Sequence, residues 1–251
     1  MQLVGKNLFK RGFATVEKVP VVETANFLSG NHKKSDCKAI EESFRKYGCV
    51  ILRDPRVNEK HNDEFLDLME RYFESRGKQF YNNQKIEEIK PEFNYQVGAT
   101  GEYTERARAH SEIMDKLKPE HKPASPQKPV LDAKWRYFWR MEDAGHKYEQ
   151  NLPQIIPKDF PEWETIMNRW GTLMVSATKT AAEMLAVGMD LEKDTFRSRM
   201  DGGDHLLAPT GSDLSRYKMG TIFAGFHYDL NFITIHGKSR FPGLKIWLRT
   251  G

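Results

Sequence analysis

The stretch GFHYDLNFITIHGKSRFPGLKIWLRTG, residues 225–251, decides the fold class. It carries a histidine and an aspartate two residues apart, His227 and Asp229, among short apolar runs that are separated by Gly, Pro, Asp and Ser. Such runs are typical of β-strands joined by tight turns. Residues two apart on a strand point to the same face of a sheet, so we expect His227 and Asp229 to reach one metal ion together.

An imidazole and a carboxylate are two of the three ligands of the 2-His-1-carboxylate triad, which holds Fe(II) and leaves positions open for other molecules. A surface pair, or a histidine hydrogen-bonded to a nearby carboxylate, is the commoner explanation of an isolated His-x-Asp. His236 follows Asp229 by seven residues, and an extended strand would place it about 23 Å away on the opposite face. We therefore expect His236 not to share the ion, whereas His205, in an upstream loop or strand, stays open as an alternative.

The residues that follow position 188 predict an antiparallel β region. Their short β-type runs are separated by turn residues. These runs are HLLAPTG (205–211), MGTIFAGFHYD (219–229), NFITIHG (231–237) and LKIWLRTG (244–251).

The preceding residues, 158–188, predict one long amphipathic helix. Asp159 is a candidate N-cap with Glu162 three residues later, as in a capping box. Apolar residues recur on one face as far as Gly188. At 1.5 Å per residue the helix would be roughly 40 Å long, and its apolar face is expected to support a sheet.

The N-terminal part of the chain predicts alternating strands and helices. VPVVET (19–24) and CVILRD (49–54) have the composition of strands, and the two helical patterns between and after them end at Gly48 and Gly77. Residues 116–130 hold four prolines, which excludes a helix interior or a central strand there. We expect 111–134 to form an exposed loop.

The order of the motifs along the chain resembles that of the isopenicillin N synthase-like branch of the iron(II)/2-oxoglutarate-dependent dioxygenase superfamily. The motifs are, in order, PVVET, YGCVIL, the long helix, HLLAPTGSDLSRY, GTIFAGFHYDLNFITIHG and PGLKIWLRTG. The resemblance covers residues 19–251 and is most specific over 223–248. It implies an α+β fold, in which N-terminal strands and helices and a long supporting helix precede a double-stranded β-helix (jelly-roll). The implied domain is 17–251, made of four parts: an N-terminal α/β part (19–110), the exposed loop (111–134), a long-helix region (135–188) and the start of the jelly-roll (189–251).

The resemblance also implies a chemistry. His227 and Asp229 would ligate Fe(II), and family members oxidise small molecules with 2-oxoglutarate as co-substrate. In the family the third ligand is a histidine well beyond the His-x-Asp motif, and an arginine farther on binds 2-oxoglutarate. Only 22 residues follow Asp229, so both positions fall past Gly251. We therefore expect a jelly-roll that is incomplete at its C-terminus. We expect Fe(II) and 2-oxoglutarate to bind only if residues beyond Gly251 complete the site.

No side chain in the sequence is assigned a catalytic role. The sequence favours a non-catalytic structural or accessory subunit with a dioxygenase fold, for which a mitochondrial assembly is one setting. Its open sheet edge near 232–248 would be covered by a protein partner. The alternative is the N-terminal portion of an active Fe(II)/2-oxoglutarate-dependent oxygenase that oxidises a small molecule. A metal-free binding module is a third possibility.

The composition indicates where the protein is located in the cell and which classes of partner it lacks. Residues 1–16 are basic and free of acidic residues, which predicts a mitochondrial presequence, with a basic terminus of a cytoplasmic protein as the alternative. The net charge of +4 is spread along the chain without a basic, aromatic cluster, so no nucleic-acid partner is expected. No run approaches the ~18–20 apolar residues of a transmembrane segment. Cys37 and Cys49 form no CxxC pair and are expected to be reduced.

Overall fold

The computed structural model describes residues 18–126, 128–141 and 152–249, so the predicted presequence, 1–16, lies outside the described residues. The helices are α1 Ala25–Leu28, α2 Lys34–Tyr47, α3 Glu59–Tyr81, α4 Ser111–Lys116 and α5 Trp163–Gly188. The strands are β1 Val21–Glu23, β2 Ile51–Arg53, β3 Gly98–Thr100, β4 Trp135–Met141, β5 His205–Leu207 and β6 Thr210–Gly211. Short 3₁₀ helices span Pro91–Phe93, Pro119–His121, Arg197–Arg199 and Leu214–Arg216. None of the described helices combines the length and the apolarity that a bilayer span requires.

The N-terminal strands form a parallel pair, in which Val21 of β1 lies opposite Ile51 of β2. Parallel strands need a crossover connection, and α2 provides it. This helix ends at Gly48, whose φ of 79° is a left-handed conformation that glycine adopts without strain. The predicted strand–helix–strand unit at the start of the fold is confirmed.

A small core joins this unit to the C-terminal half of α5. Its buried side chains are Val22, Phe27, Cys37, Ile40, Ala181 and Met184. Burial raises the pKa of the Cys37 thiol, which disfavours a reactive thiolate. Both cysteines are free, as expected for reduced thiols.

The main core lies between α3, α5 and the central strand β4. Aromatic rings dominate it, and Tyr72 meets Tyr137 edge to face with ring centroids 5.3 Å apart. The buried residues include Phe65, Leu68, Met69, Tyr72, Tyr137, Trp139, Trp163, Met167 and Trp170. The apolar faces predicted for the two long helices are therefore the faces that they bury.

The boundaries of the long helices differ from the prediction. α3 does not end at Gly77 but continues to Tyr81. A glycine inside a helix costs only about 1 kcal/mol, and Phe80, in the extra turn, packs edge to face on Trp135 at 5.5 Å. α5 begins at Trp163, because the carboxylate of Asp159 accepts hydrogen bonds from Arg76 instead of capping the helix.

The second sheet is antiparallel, and β4 is its central strand. β3 pairs with one edge of β4, with Ala99 opposite Tyr137. On the other edge β5 pairs with the end of β4 and β6 with its start, so that Leu206 faces Arg140 and Thr210 faces Arg136. The predicted strand at 205–211 is thus confirmed, with a break between its two halves, and the α+β class agrees with the described elements.

The strands predicted beyond residue 211 do not form among the described residues, which end at 249. A strand is stable only when its backbone N–H and C=O groups pair with a neighbour, and the described residues beyond 211 take part in no strand pairing. Residues 232–248 are therefore not the open sheet edge that the sequence predicts. Large apolar side chains between residues 230 and 246 face solvent: Leu230, Phe232, Phe241, Leu244 and Ile246. The jelly-roll itself stays a prediction.

Candidate metal site

Residues 212–249, which we call the terminal segment, are attached to α3 mainly by charge. The guanidinium of Arg240 lies 2.7 Å from the carboxylate of Asp67 and 3.0 Å from that of Glu70. The hydrogen bond to Asp67 raises the pKa of Arg240. Ile235 packs against the main core, so the segment is held by an apolar contact as well as by these ion pairs.

The turn before the His-x-Asp motif is anchored by two side chains. The N–H of Gly225 donates to Oδ1 of Asp132 (3.0 Å), and the N–H of Phe226 donates to Oγ of Ser125 (2.8 Å). Both acceptors belong to 111–134, which was expected to be an exposed loop. This stretch contains the short helix α4, and its last residues, 132–134, are buried.

The imidazole of His227 has a defined orientation. Its Nδ1 lies 2.7 Å from the carbonyl oxygen of Gly225. A carbonyl only accepts hydrogen bonds, so Nδ1 carries the proton and donates it. Nε2 then faces Oδ1 of Asp229, at 3.6 Å. Metal-binding histidines usually donate their second ring N–H to a carbonyl or carboxylate in this way.

His236 lies next to the same carboxylate, contrary to the expectation from strand geometry. Its Nε2 is 3.8 Å from Oδ2 of Asp229. The exclusion of His236 assumed an extended strand from Asp229 to His236, and the described chain has no strand there, so that it folds back over these seven residues. The structure thus brings His227, Asp229 and His236 together, with each histidine facing a different oxygen of the carboxylate.

Aromatic rings surround one side of the motif. Phe226 meets Trp247 edge to face at 5.1 Å, and Tyr228 meets His110 at 5.3 Å. The indole N–H of Trp247 donates to the carbonyl of His121 at 2.5 Å. These contacts tie the motif to the residues around α4, while the side chains of His227 and Asp229 remain a little under half exposed.

The imidazole of His227 and the carboxylate of Asp229 are suitable ligands for a divalent metal ion, but they supply only part of its coordination. Adjacent ligands on an octahedral ion, each with a bond of about 2.1 Å, lie about 3 Å apart, so the 3.6 Å between Nε2 of His227 and Oδ1 of Asp229 needs only a small side-chain rotation. Within 18–126, 128–141 and 152–249, no group of three or more His, Cys, Asp or Glu side chains is arranged to hold a metal ion. His236 lies near His227 and Asp229 but does not complete a set of three ligands among these residues.

Sequence reasoning missed Asp132 and its partner Lys134. Both are buried and form an ion pair directly before β4. Charged residues are rarely buried unless they are paired, but a sequence does not show that two charges near a strand are inside the protein. No pattern in DAKWRYFW marks the aspartate as the anchor of a segment more than ninety residues later.

No protein-family model matches the sequence, and no curated protein is significantly similar to it.

Solved structures with the same fold do exist. A full-length Neurospora crassa protein in complex with alpha-KG (2-oxoglutarate) superposes with a TM-score of 0.51 at 20% identity, over 76% of this chain and 54% of that one. A 2OG-Fe(II) oxygenase family protein from Caulobacter crescentus superposes with a TM-score of 0.53 at 14% identity, over 76% of this chain and 55% of that one. The chain spans about half the length of these structures. The chain therefore shares the fold of these two structures, one of which is a 2OG-Fe(II) oxygenase family protein.

Proposed function

We propose that the chain supplies two ligands, His227 and Asp229, to the Fe(II) site of a 2-oxoglutarate-dependent oxygenase that oxidises a small molecule. The observation that carries the proposal is the orientation of the His227 ring. Because Nδ1 donates to the carbonyl of Gly225, the lone pair of Nε2 faces the carboxylate of Asp229. Two electron-rich atoms facing each other at 3.6 Å are stabilised only by a cation between them, either a proton or a metal ion.

The residues of the chain have distinct roles in this proposal. His227 and Asp229 bind the metal, the carbonyl of Gly225 orients the imidazole, and the rings of Phe226 and Trp247 shield one side of the motif from water. When bound, Fe(II) with 2-oxoglutarate supplies the oxidation of a C–H bond. The finer assignment to the isopenicillin N synthase-like branch is part of the proposal and rests on the order of the sequence motifs.

The proposal is tested by turnover of 2-oxoglutarate. The protein is incubated with Fe(II), 2-oxoglutarate and oxygen, and succinate is measured. Succinate formation that is lost in Asp229→Ala and kept in His121→Ala supports the proposal. If the protein binds the metal but forms no succinate above the Asp229→Ala background, the catalytic role is overturned.

A non-catalytic structural or accessory role is the second candidate. It is favoured by the ligand set, because the described residues do not gather a third ligand beside His227 and Asp229. The exposed apolar side chains of 232–248 support a protein partner there, since surfaces rich in large apolar groups commonly mark interaction sites. In this role His227→Ala would leave association with the partner unchanged, and a charge at Leu244 (Leu244→Glu) would weaken it.

A mitochondrial location is proposed from the basic, acid-free composition of residues 1–16 alone. Fractionation of cells that express the protein with Lys6, Lys10 and Arg11 replaced by glutamine tests it. Loss of mitochondrial enrichment in this variant supports the presequence, and a cytoplasmic distribution of the unaltered protein contradicts it.

A further inference from the structure

We propose that Asp132 is a positioning residue for His227, an inference that rests on the proposed metal site. Asp132 does not touch the imidazole. It acts through Gly225, whose N–H it accepts and whose carbonyl oxygen accepts the Nδ1 proton of His227. Asp132 lies 93 residues before Gly225 in sequence, just before the central strand β4.

The carboxylate of Asp132 is itself fixed. Its backbone N–H donates to the carbonyl of Glu105, and its backbone carbonyl accepts from the N–H of Tyr103, both at 2.8 Å. Oδ2 pairs with the ammonium of Lys134, and both side chains are about 5% exposed. Oδ1 is thereby left at a defined place for Gly225. Hydrogen bonds to a charged, buried acceptor are about twice as strong as bonds between neutral groups.

Gly225 needs such an anchor because a glycine has wide backbone freedom. The peptide plane before it is held by Asp132, and the plane after it is held by the bond from Phe226 N–H to Ser125. In the second plane the C=O of Gly225 points opposite to that N–H, toward Nδ1 of His227. A Cβ at this position would lie 2.9 Å from Cβ of Ala107, so only glycine fits this close to the anchor.

The orientation of His227 therefore depends on the buried ion pair of Asp132 and Lys134, which is not part of the His-x-Asp motif. With both planes fixed, the ring enters the site with Nδ1 protonated and Nε2 available to a metal. Without the Asp132 acceptor, the plane before Gly225 is free to rotate, and only the bond from Phe226 N–H to Ser125 still holds the carbonyl that accepts from Nδ1, so the ring is less firmly oriented. Groups that hydrogen-bond a metal ligand directly usually change metal affinity about 10–100-fold when they are removed, and Asp132 acts through such a group, the carbonyl of Gly225.

The test is the tautomer of His227, read from long-range ¹H–¹⁵N correlations of the imidazole above the ordinary titration range of histidine. In the unaltered protein and in Asp132→Asn, which keeps an acceptor oxygen, we expect Nδ1 to be protonated. In Asp132→Ala we expect the population of the Nε2-protonated tautomer to increase and the Mn(II) affinity to fall about 10–100-fold. Glu105→Gln is the matched control: Glu105 also pairs with Lys134, at 3.1 Å, but its side chain does not hold Gly225.

Asp132→Ala leaves Lys134 without its closest partner, and misfolding would obscure the result. The double variant Asp132→Leu with Lys134→Met avoids this, because an apolar replacement of a buried ion pair is often neutral for stability. A folded variant that lacks Asp132 and keeps both the Nδ1-protonated ring and the Mn(II) affinity overturns the inference. If the unaltered protein binds no Mn(II), the proposed function fails, whereas the tautomer comparison still decides whether Asp132 orients the ring.

Discussion

Nε2 of His227 lies 3.6 Å from Oδ1 of Asp229, and Nδ1 of the same ring donates to the backbone carbonyl of Gly225. One partner of the pair, the imidazole of His227, is thus oriented by a hydrogen bond. The orientation originates at Asp132, behind the motif, and passes through Gly225. This relationship gives the His-x-Asp motif a defined geometry in a segment whose described residues form no strand beyond Gly211.

His236 provides a test of how many ligands the segment supplies. Its Nε2 lies 3.8 Å from the second oxygen of Asp229. We expect His236→Ala to weaken Mn(II) binding less than His227→Ala does, because none of the described carbonyls orients its ring in the way that Gly225 orients His227. Isothermal titration with Mn(II) measures both variants. An equal loss would identify His236 as the third ligand.

The attachment of the terminal segment to α3 is electrostatic and is expected to depend on salt. We predict that Arg240→Gln raises the rate of amide hydrogen exchange across 232–248, because it removes the ion pairs to Asp67 and Glu70. High salt should have the same effect on the unaltered protein, since exposed ion pairs are screened. Exchange in α5 serves as the internal control and should not change. Unchanged exchange in 232–248 would contradict an electrostatic attachment of the segment.

The buried guanidinium of Arg76 is expected to be important for stability. It pairs with Glu88 at 2.9 Å, and both side chains are buried. Arg76→Met leaves the Glu88 carboxylate buried without a partner, which typically costs about 3–5 kcal/mol of unfolding free energy. Urea unfolding measures the change. The control is Arg71→Met, which removes the exposed ion pair to Glu162 and should cost no more than about 1 kcal/mol. Similar losses in the two variants would contradict the account.

Asp159 should contribute to the pH dependence of stability. The hydrogen bond from Arg76 lowers the pKa of this carboxyl below its usual value of about 3.9. A carboxyl with a lowered folded-state pKa stabilises the protein above its unfolded-state pKa, and this contribution is lost as the pH falls through the folded-state value. Because the side chain is more than half exposed, the contribution should not exceed about 1 kcal/mol.

The measurement for Asp159 compares urea midpoints of the unaltered protein and of Asp159→Asn across the acid range. The two curves should differ near neutral pH and converge at the acid end. A difference that is constant with pH would mean that the carboxyl is not tied to Arg76 in solution.

The elements that were predicted from the sequence are those that local patterns determine. Helical periodicity identified α2, α3 and α5 and most of their buried faces, since each helix buries one stripe of residues. Helix ends were less predictable: Gly77 did not end α3, because the packing of Phe80 outweighed a weak propensity. Asp159 did not cap α5, because a distant arginine competes for its carboxylate.

The strands beyond residue 211 and the place of His236 were not predictable for a different reason. A β-strand depends on a partner that can be far away in sequence, so alternation alone does not ensure that one forms. Strand parity does not apply to 227–236, because no strand forms there: His227 lies beside Asp229 without one, and His236, placed far away by the extended geometry, lies beside the same carboxylate. Asp132 left no sequence signal, since its role depends on burial and on a contact across ninety-three positions.

The most direct test of the central claim is a Mn(II) titration of the full chain, followed by electron paramagnetic resonance of the free ion. The account predicts one bound ion per chain in the unaltered protein and in His121→Ala. It predicts that His227→Ala and Asp229→Ala each weaken binding at least about tenfold, the range expected when a metal site is disturbed. Binding of equal strength in all four proteins, or none in the unaltered chain, would contradict the claim that His227 and Asp229 are metal ligands.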